Sequence, residues 1–172
     1  PDIVPEILRK PQNGYIKIGL DASKINQQSI HSGKIFFTQA LGAFIPEQQQ
    51  KSLDLSDIKP YQSKAIGMSL GNYFVFNNGI RGRTTLTAQK AFAPLIGSMR
   101  FQVGADSGLI GLPGSIASGD SGIQLNADGF VPLTQIKGWK FGLKPFAGFA
   151  SLSTETTLGE LSNTVGAAGA ML

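Results

Sequence analysis

The chain contains no cysteine. Thiol nucleophiles, zinc–thiolate and iron–sulfur sites and disulfide staples are therefore excluded. Charge is also scarce, at 15% of residues against roughly 25% in ordinary soluble domains. The missing charge is replaced by Gly, Ser, Thr, Asn and Gln, so the surface is kept in water by neutral groups or is covered by something else. Histidine and tryptophan each occur once, as His31 and Trp139. No apolar run approaches the roughly 18 residues of a membrane-spanning helix, and the longest candidate, 91–99, is interrupted by Pro94. The opening Pro1-Asp2-Ile3-Val4-Pro5 lacks the basic start and apolar core of a secretory signal.

What is present suits one sizeable core, since 172 residues are too few for two comfortable domains. The net charge of +4 lies in the first half, where 10 basic residues face 6 acidic ones; the second half holds 5 of each. So small an excess steers partners weakly. Lys64, Arg81 and Arg83 are suited to phosphate, but no recognition helix, RNP motif or basic arm accompanies them. Nucleic acid is not an expected partner.

Residues 1–14 read as an extended arm, because Pro1, Pro5 and Pro11 remove amide donors and hold the preceding residues extended. Tyr15–Leu20 alternates, with Ile16, Ile18 and Leu20 on one side and Tyr15 and Lys17 on the other, which predicts a strand. A second strand is expected within 33–45, and 46–60 reads as a polar connection. The strongest local pattern is 73–86, a hairpin turning at Asn78-Gly79. A two-residue type I′ turn there requires positive φ at both residues and sets Phe76 opposite Arg81. A second hairpin is expected over 122–133 with Asp128-Gly129 as its turn, Pro132 then lying at an edge or strand end.

The glycine-rich stretch 104–121 holds Leu109, Ile110, Leu112 and Ile116, too apolar for a solvated linker. It predicts a long loop packed across a sheet or against another subunit. Trp139–Leu143 alternates, with Trp139 expected in the core. Leu158, Leu161 and Val165 allow a weak helical turn in the tail, opposed by its glycines. Together these point to an all-β fold, an antiparallel sandwich or jelly-roll-like domain with an extended N-terminal arm. Residues 1–14 form the arm, 15–155 a single β domain and 156–172 a small-residue-rich tail.

Catalytic patterns are thin. The string Gly119-Asp120-Ser121-Gly122 resembles the surroundings of the nucleophile in chymotrypsin-like serine proteases, a likeness of four residues that would imply a Ser121–His31 pairing. That family carries its histidine in a far larger framework, so the expected role of Asp120-Ser121 is a turn. Asp106, Asp120, Asp128, Glu155 and Glu160 show neither EF-hand nor Walker spacing. No catalytic, cofactor-binding or metal-binding residue is assigned, and no cofactor is expected.

The reading that joins low charge, a β framework, a Pro-bearing arm and an apolar tail is a non-catalytic structural subunit that self-assembles. A viral capsid, another virion component or an extracellular surface assembly are its expected settings, since charge is depleted where interfaces lose water. Its partners are then copies of itself or another coat component. The alternative is an adhesion module for carbohydrate or peptide, with a neutral carbohydrate meeting Trp139, Tyr73 and Tyr15. A third reading, an outer-membrane barrel, fits the Gly and aromatic alternation, although few strands stand out and Met171-Leu172 gives no aromatic terminal strand.

Overall fold

The computed structural model describes residues 15–41, 62–156 and 159–171; the arm at 1–14, the 46–60 connection and the end of the strand expected within 33–45 lie outside them. Among the described residues nine strands form: β1 (Tyr15–Ile25), β2 (Ser29–Ala40), β3 (Lys64–Val75), β4 (Arg81–Ala91), β5 (Phe101–Val103), β6 (Ala117–Gly119), β7 (Ser121–Ile136), β8 (Trp139–Thr156) and β9 (Gly159–Met171). Seven of them make one antiparallel sheet in the order β1-β2-β3-β4-β7-β8-β9, and β5 and β6 pair as a small second sheet. The fold is all-β, two unequal layers in a sandwich-like arrangement. Within the large layer each strand pairs with the next one along the chain, apart from the inserted β5–β6. That is a meander, without the Greek-key crossings of a jelly roll.

Turn chemistry explains the hairpins. At the β3–β4 end Gly79 N donates to Phe76 O at 2.9 Å, Phe76 N to Ile80 O at 2.8 Å, and Ile80 N to the Asn78 side chain at 3.2 Å. Gly79 alone takes positive φ, at 80°. The loop therefore has three residues, a tight turn closed by a left-handed glycine, and Val75, not Phe76, stands opposite Arg81. The hairpin lies where expected with its register moved by one, because this loop lets Asn78 stay right-handed.

The expected Asp128-Gly129 turn is overturned. β7 runs straight through both residues, with Asp128 opposite Arg83 and Gly129 opposite Gly82. An ion pair of 2.8 Å from Arg83 holds Asp128 in the ladder. The actual turn is Lys137-Gly138, with φ of 49° and 86°, and Pro132 is accommodated at a register shift inside the strand. The expected helical turn in the tail is likewise replaced by β9, paired along its length with β8. One of its glycines serves ring packing: the Phe146 ring lies over Gly169, where a Cβ would stand 2.7 Å from it. Phe36 over Gly67 and Phe74 over Gly82 repeat the arrangement between β2 and β3 and between β3 and β4.

Connections differ between the two ends of the sheet. Residues 26–28, 76–80 and 137–138 make short connections at one end, whereas at the other 41–63 and 92–120 are long links and two residues, 157–158, separate β8 from β9.

Candidate functional site

Cross-strand register sorts every sheet residue onto one of two faces, because side chains alternate along a strand. One face, here the insert face, receives residues 92–120. Leu95, Ile96 and Met99 pack there with Ala40, Ala65 and Ala91. Phe101, Val103 and Leu109 pack with Ala150 and Leu152. The 104–121 stretch thus covers this chain's own sheet, one of its two expected destinations.

Polar groups fasten the insert. Asp120, 3% exposed, accepts a hydrogen bond from Leu95 N at 3.0 Å and faces Arg100 Nε at 3.6 Å, an ionic contact too long for a hydrogen bond. Ser121 Oγ accepts from Ala91 N. Gln124, 1% exposed, donates to Ser107 O at 2.8 Å and accepts from Ser107 Oγ at 3.1 Å. Gln89 donates to the Met99 and Asp120 carbonyls. Lys17, Asp21, Lys34, Arg81, Arg83 and Asp128 also lie on this face, interspersed with Tyr15, Ile25, Phe36, Tyr73, Phe130 and Phe146. Lys34 pairs with Asp21 at 3.4 Å. Lys17 stands 3.7 Å over the Phe36 ring, and its pKa is lowered from the usual lysine value, first by burial and then by the Lys34 charge.

The opposite, bare face has the reverse chemistry. Ile16, Ile18 and Leu20 on β1 lead through Phe37 and Ile35 to Ile66, Met68 and Leu70. Leu86 and Ala88 continue the band to Ile123 and Leu125, and it ends with Phe149, Leu143, Phe141 and Trp139 on β8. These side chains are open: Leu20 is 82% exposed, Ile35 59%, Leu125 50% and Trp139 74%. Trp139 is therefore not a core residue, and its neighbours on that face are Ile136 and Phe141.

Charge on the bare face is confined to its margins among the described side chains, at Lys24, Lys64, Lys90 and Glu160. The apolar band also crosses the strands obliquely. On β1 it gives way to Lys24, opposite His31, while on β8 it begins below Ser151 and continues to Trp139.

The residues of the protease-like string do not assemble a triad. His31 lies on the bare face near the short-turn end, its ring 3.0 Å from Ser29 Oγ. Its register row reaches β7 at Ala127, six residues or about 20 Å along the strand from Ser121. Among the described residues no three His, Asp or Glu side chains gather in a way that could hold a metal. What sequence reasoning missed is the long apolar face; its signal, period-two alternation, was present but diluted by Gly, Ala and Thr. The chain matches no protein-family model and no curated protein sequence.

Proposed function

We propose that this chain forms part of the wall of a transmembrane β-barrel, with a structural, non-enzymatic role. The bare face meets lipid acyl chains, and the insert face lines an aqueous interior that residues 92–120 partly fill. The observation that carries the reading is the continuous apolar band, free of charge except at its margins among the described side chains, backed by an opposite face that carries Lys17, Asp21, Lys34, Arg81, Arg83 and Asp128. In water such a band is an aggregation hazard; in a bilayer it is the required surface.

Three further features support it. On β8 the band runs from Trp139 to Phe149, about 33 Å along the strand at roughly 3.3 Å per residue. At the tilt of about 40° usual in membrane barrels it would rise about 25 Å, the height of their apolar belt. Tilted strands also require a horizontal belt to cross register rows obliquely, as this one does. Finally, all three connections at one end are short and two of the three at the other are long, the direction of asymmetry usual in such barrels.

Trp139 is the sole tryptophan, so its fluorescence tests the reading directly. Refolded into vesicles of phosphatidylcholine with brominated acyl chains, the protein should lose most of its emission relative to unbrominated vesicles. Unchanged emission, with the protein recovered free of vesicles on flotation, would overturn the proposal.

The self-associating subunit expected from composition is the second reading, supported by the sheet edges. Among the described residues β1 and β9 each pair on one side only, leaving backbone groups for strands of another copy. In that case Trp139 would be shielded by protein, without bromine quenching, in a detergent-free oligomer.

A further inference from the structure

The bare face is not uniform. Between β2, β3 and β4 it is indented by a groove of about 330 Å³, lined by Ile35, Ile66, Met68 and Ala88, with Lys90 at its margin. The depression has a sequence origin: Ala88, the small member of the row, sits directly opposite Met68, which is opposite Ile35. Long side chains on both sides of a short one leave a furrow along the strands.

A second cation stands beside the first. Lys90 is paired with Ile66, and Lys64 is two residues further along β3, on the same face. Phe92 N donates to Lys64 O at 3.0 Å, bringing Phe92, 58% exposed, to the same rim. Both lysines are exposed, and neither takes part in an ion pair among the described residues. The apolar groove therefore ends at two lysines that make no ion pair among the described residues.

We propose that this groove is a site for an anionic phospholipid, one acyl chain lying along Ile35, Met68 and Ala88 and the headgroup phosphate held between Lys64 and Lys90. The proposal rests on the lipid-facing reading of the bare face and adds a preference within it. Lysine supplies a compact charge with three donors, suited to a phosphate oxygen, and each cation at the membrane surface favours anionic lipid about fivefold. Two adjacent lysines give a local preference between about fivefold and thirtyfold, confined to this groove.

The test places a reporter in the groove. A Met68→Trp protein in a Trp139→Phe background is refolded into mixed phosphatidylcholine and phosphatidylglycerol vesicles, with bromine on one lipid or the other. Ala88→Trp serves as a second placement should Met68→Trp fail to regain its β circular-dichroism signal. The expected result is preferential quenching by brominated phosphatidylglycerol of about fivefold to thirtyfold, lost in Lys64→Gln/Lys90→Gln. Trp139 of the parent, at the opposite margin, should show no such preference. Equal quenching by both lipids at position 68, or a preference that survives the lysine replacements, overturns the site while leaving the lipid-facing reading in place. Absence of quenching at Trp139 as well overturns both.

Discussion

Two faces of one sheet, built from the same strands, obey opposite rules. On the insert face polar side chains are buried: Gln124 and Thr38 are 1% and 6% exposed. On the bare face Leu20 and Ile35 are more than half exposed. Apolar surface ordinarily leaves water and polar groups enter the interior only when hydrogen-bonded. The insert face satisfies the second condition through Ser107 and Gln124, while the bare face violates the first unless its solvent is not water. The contrast teaches that hydrophobic alternation identifies two faces but does not say which is inside.

The largest effect expected from a single replacement is at Leu109, fully buried against Gly148, whose missing side chain admits it. Leu109→Ala should lose about 2–5 kcal/mol in denaturant titrations, whereas Leu20→Ala should change stability in water by no more than about 0.5 kcal/mol. Equal costs would erase the distinction between the faces.

A charge on the bare face sharpens the comparison. Leu125→Arg should cost about 2–4 kcal/mol for the protein folded in vesicles, measured by urea titration of the embedded form. Ser69→Arg, on the polar face, should be nearly neutral in the same assay. If Leu125→Arg were harmless in vesicles, lipid would not be the solvent of that face.

The smallest effect concerns Lys17. A lysine pKa lowered in the folded state means that the fold binds the proton less tightly than the unfolded chain. The charged form therefore costs stability below the folded pKa, and that cost is relieved as pH rises through it toward 10.5. Lys34→Gln removes the second cause and should raise the Lys17 pKa, slowing amine labelling of Lys17 at alkaline pH. Identical labelling profiles would show that the two lysines do not sense each other.

Part of this was legible in the chain. Tyr15–Leu20 shows its strand because apolar and polar residues alternate at the strand period, a purely local property. Asn78-Gly79 marks its turn because only glycine takes φ near +80° without strain. Asp128-Gly129 misled for a tertiary reason: the Arg83 guanidinium reaches Asp128 from β4, and the ladder overrides the turn preference of the pair. The spacing of Leu158, Leu161 and Val165 allows a helical turn in the tail, and pairing with β8 makes it a strand instead, where Gly169 admits the Phe146 ring.

By itself, then, the sequence determined the β class, the alternation and the absence of thiol chemistry, all of which follow from residue type and spacing along one strand. Only the tertiary structure decided that Trp139, Ile16 and Ile18 are exposed while, among the described residues, the segment that packs across the sheet, 92–120, covers the other face. The free energy of a side chain depends on what lies against it, and that neighbour comes from a distant part of the chain or from the surrounding solvent.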